Sequence, residues 1–292
     1  MKKNKGMIIG FLAPAVLIFL AVFLYPIVRT VIMSFFKISS VTDSVDLWKF
    51  VGIENYQKLF ATDIFRTSMM NIGKIWLLGG IIVMTVSLLF AVILTSGIRG
   101  KKIFRAIIYL PNIVSAVALA TMWLQYVYSP RYGLLKDLFT ALHLDNLAKI
   151  QFLDNDHKFW ALLFAYCFGM VGYHMLIWLS GIERISPEYY EAAKVDGANA
   201  FQRFFKITLP SLSNVMFFCF ITLTADSWKI FNEPFMLQGP GTSNVSLFQY
   251  MYESGFNVFK LGYASSIGCM LTLILLIVSV IQFIIRMKQG EV

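Results

Sequence analysis

The sequence predicts an all-α protein that crosses a membrane six times. Three observations carry that expectation. Of the 292 residues, 58% are hydrophobic and only 14% are charged, where soluble chains carry roughly 25% charged residues. The apolar residues gather into six segments, each near or above the ~20 residues that a helix needs to span a bilayer. The basic residues collect in alternate turns between those segments, as membrane topology requires. Topology thus explains the net charge of +9, and no nucleic-acid partner is expected. Cys167, Cys219 and Cys269 lie in apolar segments without CxxC or His-rich spacing, so no disulfide framework and no metal site are expected.

The first segment, Met7 to Phe36, is preceded by Lys2, Lys3 and Lys5. It is longer than a secretory h-region and lacks a clear cleavage site, which predicts a retained helix. Pro14 and Pro26 are candidate kinks. A mixed-charge loop, Lys37 to Met70, follows, with a short surface helix expected in Phe50 to Phe60. The second span is expected near Ile72 to Leu94, then a basic turn at Ser96 to Lys102. The third is expected near Ile107 to Tyr128, then an external segment, Ser129 to Lys158. The fourth is expected near Phe159 to Leu179. The fifth covers about Leu212 to Phe235, and an exposed loop with the turn Gly239-Pro240-Gly241 runs to Lys260. The sixth is expected near Tyr263 to Ile285, closed by Arg286 and Lys288. The whole, 1–292, reads as one transmembrane domain.

Six spans put both termini on one side. If that side is the cytoplasm, Lys2, Lys3, Lys5, Arg99, Lys101, Lys102, Arg105, Arg184, Lys194, Arg203, Lys206, Arg286 and Lys288 all fall inside. These are just over half of the 25 basic residues, packed into short segments, and the positive-inside rule favours that orientation. It also places the stretch Ser186 to Pro210 in the cytoplasm.

That stretch is polar and punctuated. Ser186 suits an N-cap and Pro187 the first helical position. Glu188 and Glu191 suit the positive end of a helix dipole. Ala192, Ala193 and Lys194 continue the helix, and Gly197 can take the left-handed conformation that ends one. Asn199 and Gln202 have capping-box spacing for a second helix. Phe201, Phe204 and Phe205 then share one side, and Pro210 marks the expected stop. Two short helices with a sharp turn are predicted.

Glu191-Ala192-Ala193, three residues, Gly197, nine residues, then Ile207-Thr208-Leu209-Pro210 resembles the EAA loop of bacterial ATP-binding-cassette (ABC) importer permeases. YYEAAKVDGANAFQRFFKITLP is similar to the carbohydrate-uptake branch. So are Phe50-Val51-Gly52 through Tyr56, YLPNIVSAVALATMW from Tyr109, YSPRYGLL from Tyr128 and GYASSIG from Gly262. The likeness is to the first permease of maltose- and glycerol-phosphate-type pairs. It implies the type I ABC importer transmembrane fold, with core helices over about 72–285, a peripheral first helix over 7–36 and a coupling hairpin over 186–210. It implies a heterodimer with a second permease, two ATPase subunits, an extracellular solute-binding protein and the cytoplasmic membrane of a bacterium. The coupling residues would be Glu188, Glu191, Ala192, Ala193, Asp196, Gly197, Ala198, Ile207, Leu209 and Pro210. Glu191 would meet a basic group on the ATPase; simple dipole complementarity is the plainer role for it. One departure from the maltose-type subunit is expected: neither its extra N-terminal spans nor its large external domain is present.

No G-x-x-x-x-G-K-[ST] loop is present, since Gly100-Lys101 lacks both the earlier glycine and the following hydroxyl. The chain is expected to bind no cofactor and to hydrolyse nothing. ATP and Mg would sit on the partner ATPase. In the fifth span, Asp226, Lys229 and Glu233 are spaced i, i+3, i+7, which predicts one shared helical face. With Trp228 and Asn232 they suit a substrate path, and Trp228 suits stacking on a sugar ring. An ionic network that joins subunits is the alternative, because intramembrane charge is costly and must face protein or water. Asn112, after Pro111, suits the path or the satisfaction of a kink. His174 suits a packed, hydrogen-bonded residue, and Arg29 snorkels or pairs. The predicted function is a permease that moves a sugar or oligosaccharide by alternating access. The same machine for glycerol phosphate or another polar solute, a self-sufficient secondary carrier and a membrane scaffold are the rivals.

Overall fold

The computed structural model describes residues 5–40, 42–237 and 241–288. Lys2, Lys3, Gly239 and Pro240, named above, lie outside the described residues. Among the described residues, four helices are long and apolar enough to cross a membrane: α1 (Ile9–Met33), α3 (Asp63–Thr95), α8 (Lys158–Ile182) and α14 (Leu261–Lys288). Two bent pairs supply the other two spans. They are α4 (Lys101–Ile113) with α5 (Ala116–Val127), and α10 (Ala200–Ser211) with the run from Ser213 to Met236. The chain divides into two compact units, residues 1–66 with 247–274, and residues 67–246 with 275–292.

In the first unit, α1 has none of its most apolar stretch buried. A π-helical turn, Leu20–Leu24, precedes Pro26 and absorbs the missing N–H, and the helix continues. Beyond it, β1 (Phe36–Lys37) pairs antiparallel with β2 (Lys49–Phe50). The expected surface helix is α2 (Glu54–Ala61), with Leu59 fully buried. Asn55 Nδ2 donates to the Ser34 and Phe36 carbonyls at 2.8 and 3.0 Å. Loop residues 237–260 were expected to be exposed. Instead α13 (Leu247–Tyr252) and a π turn, Glu253–Asn257, fill part of the segment. Leu247, Gln249 and Ser254 are buried there. The alternation of polar and apolar residues hid a short amphipathic helix.

The second unit is built on α8, whose sequence is apolar on nearly all sides and which is the most buried of the spans. Its cores are a cluster around Ile75, Leu162, Tyr166 and Leu223, and another around Leu94, Met175, Trp178 and Cys219. Gly172 lets α4 come close: a Cβ there would lie 2.3 Å from the Ile108 carbonyl oxygen and 2.8 Å from Tyr109 Cα. Helix α3 starts at Asp63, earlier than the expected Ile72, because its first turns are amphipathic rather than uniformly apolar. The third span is not one helix. Val114 and Ser115 are extended, and α4 and α5 meet at 98°. Pro111 lies three residues before that break and weakens the ladder leading to it. The segment expected to be external folds into α6 (Leu134–Ala141) and α7 (Asp145–Ala148).

Candidate functional site

The polar stretch forms the predicted hairpin, and its bonds are those its residues dictate. Helix α9 (Pro187–Val195) starts with Ser186 at the N-cap and Pro187 in the first turn. The Ser186 hydroxyl makes no capping bond, so position alone was read correctly there. At the other end Gly197 has φ +79°. The Gly197 N–H donates to the Lys194 carbonyl (3.1 Å) and the Ala198 N–H to the Ala193 carbonyl (2.8 Å). This is the Schellman arrangement, which a residue without Cβ closes without strain. Asn199 and Gln202 then exchange both bonds of the capping box, at 2.8 and 2.9 Å. Phe201 and Phe205 pack with ring centroids 4.5 Å apart.

The helical run passes through Pro210 rather than stopping at it. A π turn, Phe204–Thr208, precedes Pro210 and shifts the ladder where the imino acid offers no donor, and the stop falls at Leu212. There the chain bends by 66°. Tyr190 and Thr208 join the two arms, their hydroxyls 2.9 Å apart. Nothing local announces that bond, since 18 residues separate the partners.

No residue of α9 is buried. Glu188, Glu191, Ala192, Asp196 and Gly197 are exposed, and Ala193 and Ala198 are partly covered. Val195 is 88% exposed, Phe201 71% and Tyr189 64%. Ile207 and Leu209 are partly covered and Pro210 is exposed. Glu191 also borders a groove of about 740 Å³, lined by Lys101, Glu183, Tyr190, Lys194 and Arg203 among others. Arg105 and Glu183 form an ion pair of 3.0 Å beside it.

A match to a family model described as "Binding-protein-dependent transport system inner membrane component" covers residues 84–289. The chain belongs to this family. Among its relatives, the probable ABC transporter permease protein YurN of Bacillus subtilis is 30% identical over 284 residues, covering 96% of each chain. The arabinooligosaccharides transport system permease protein AraP of the same organism is 31% identical, covering 93% of this chain and 86% of AraP. A crystal structure of a bacterial ABC transporter that imports the acidic polysaccharide alginate has a chain with TM-score 0.85 and 19% identity. That match covers 98% of this permease and 96% of the other chain and shows the fold. The protein is an ABC importer permease, an integral transport subunit of the inner membrane with the all-α type I fold expected above.

The fifth span of the permease departs from expectation. Helix α11 (Ser213–Trp228) ends, and a single turn, α12 (Asn232–Met236), resumes after Lys229 to Phe231. Asp226 and Glu233 therefore do not share one helical face. Pro234 gives the physical reason: in a continuous helix its ring would collide with the Ile230 carbonyl and offer it no N–H. Asp226 and Lys229 face each other at 3.6 Å. Asp226, Asn232 and Glu233 are half-buried, and Lys229 is exposed. Trp228 is buried at 6% exposure, so its ring offers no open face for a sugar in this conformation. His174 is fully buried, with Nδ1 3.1 Å from the Met170 carbonyl, as a packed histidine should be. Asn112 Nδ2 makes a long bond, 3.5 Å, to the Gly169 carbonyl.

One polar node was missed altogether. Thr224 Oγ1 accepts from Trp76 Nε1 at 2.9 Å and from Gln282 Nε2 at 2.7 Å. It donates in turn to the Phe220 carbonyl at 2.8 Å. Three spans, α3, α11 and α14, meet on one hydroxyl.

Proposed function

We propose that this permease passes a sugar or oligosaccharide across the cytoplasmic membrane of a bacterium, and that the α9–α10 hairpin receives the work from a separate ATPase. The exposed hairpin carries the reading. Its Gly197 turn and Asn199–Gln202 cap are fully bonded, yet its surface is bare, which is how a rigid part waiting for a partner is built. Glu188, Glu191, Asp196 and the small residues Ala192, Ala193, Gly197 and Ala198 form the docking face. Ile207, Leu209 and Pro210 anchor the second arm. Two ATPase subunits, which hold ATP and Mg, and a second permease complete the assembly, with an extracellular binding protein on the far side. Basic turns near Arg99 to Arg105 and around the hairpin support cytoplasmic termini. The cargo class follows relatives named for arabinooligosaccharides, diacetylchitobiose and lactose.

For the substrate path we assign the broken fifth span. Irregular backbone at membrane depth occurs where protein or a water-filled cavity satisfies it. Asp226, Lys229, Asn232 and Glu233 bring polar groups to that break, with Asn112 on the other bent span. Trp228 stacks on a sugar only after the segment moves. The test is to purify the chain from its native membrane and identify what accompanies it. An ATPase and a second six-span protein are expected. Sugar flux through the reconstituted chain alone, without any ATPase, overturns the proposal.

A further inference from the structure

We propose that Arg286 is a positioning residue that carries displacement of the hairpin into the last two spans. This rests on the coupling reading above. A lever transmits only if its root cannot swivel, and the root here is the 66° bend at Leu212. The two residues directly beyond the bend are held by the end of α14. Arg286 Nη2 donates to Asn214 Oδ1, and to Ser213 Oγ at 3.4 Å. Its guanidinium lies over the Phe217 ring, 5.7 Å from the centroid. The residue is 6% exposed.

An arginine that merely ended a span would reach into water and keep its freedom. This one is folded back over the first turn of α11, and its place in the last turn of α14 suits the negative end of that helix. One turn earlier Gln282 grips Thr224 on the same α11. The planar fork of arginine holds the hydroxyl, the amide and the ring together, which a lysine point charge cannot do. With two grips, α11 and α14 move as one body. A push on the hairpin then tilts both helices instead of closing the bend.

The test measures solute taken up per ATP hydrolysed, in the assembled complex in proteoliposomes. Arg286→Gln is expected to lower that ratio about tenfold, the loss of one to two interhelical hydrogen bonds, while the ATPase still co-purifies. Arg286→Lys is expected to recover part of it. A ratio unchanged in Arg286→Gln, with the ATPase bound, overturns the strut and leaves the coupling reading standing. Absence of ATPase from the wild-type chain overturns the coupling reading instead. Because Arg286→Gln can fail to accumulate, a covalent version is the second arm. Asn214→Cys with Arg286→Cys is made in a chain whose Cys167, Cys219 and Cys269 are alanine. A strut keeps one length throughout the cycle, so a short cross-linker is expected to restore the ratio lost in the uncross-linked pair. Arrest of uptake by the cross-link overturns the proposal.

Discussion

The hairpin and the fifth span are neighbours in sequence and opposites in how they are held. Between Pro187 and Ser211 nearly every defining bond joins residues within six positions: the Gly197 turn, the Asn199–Gln202 box, the Phe201–Phe205 pair. Between Ser213 and Met236 the deciding contacts come from far away: Trp76 and Gln282 on Thr224, Arg286 on Asn214. The hairpin is exposed and rigid by its own chemistry. The fifth span takes its shape from what surrounds it. Exposure and order are therefore independent here, and a moving machine needs both kinds of part.

Five substitutions break or sharpen that contrast. The largest effect is expected from Gly197→Val. A β-branched residue at φ +79° is strained by about 1–3 kcal/mol, and the turn between the two arms of the hairpin reopens. Uptake is expected to fall at least about tenfold, while solute capture by the external protein stays intact. Glu191→Ala is expected to act in the same direction and less strongly. Normal uptake in both removes the hairpin from the mechanism.

Next is Gly172→Ala, which attacks a long-range contact. The added methyl must push α4 away from α8, at a cost of about 1–3 kcal/mol. Thermal unfolding in detergent should show it. A melting curve identical to wild type means the two backbones are farther apart than described. Thr224→Val is expected to be milder, because hydrogen bonds between spans average about 0.6 kcal/mol each. Two donors, Trp76 Nε1 and Gln282 Nε2, lose their acceptor. Steric trapping or chemical denaturation reads the loss, and stabilisation would count against the node.

The smallest effect belongs to the loop that leads into α8. His157 N–H and ring bonds hold the Asp154 carboxyl below its ordinary value. A depressed carboxylate contributes stability above its unfolded pKa of about 4, and loses it as pH falls through the lower folded value. Hydrogen exchange of the loop is expected to quicken only in that acid window, and Asp154→Asn to abolish the pH dependence. Exchange that quickens in the mutant alike points to another group.

The same contrast explains which features were legible beforehand. Gly197, Asn199 and Gln202 encode their structure within a turn of chain, so reading them in order was enough. The spans themselves were visible because twenty apolar residues need no partner to be recognised. Breaks inside spans were not. Pro111 and Pro234 were in plain view, but whether a proline kinks a helix or ends it is settled by neighbours. In α1 the chain simply continues past Pro26. Arg286 was read, with Lys288, only as the basic end of the sixth span. Its partners, Ser213 and Asn214, lie more than seventy residues away, and no local pattern connects them.

The bareness of α1 has a consequence for how the protein is made. A rod of apolar side chains with none buried by its own chain across its most apolar stretch cannot be finished by folding alone. Lipid satisfies its chemistry but gives it no fixed seat. Unless a partner chain covers it, the first segment stays unmoored and open to membrane proteases. The supply of such a cover would then set how much of this permease survives.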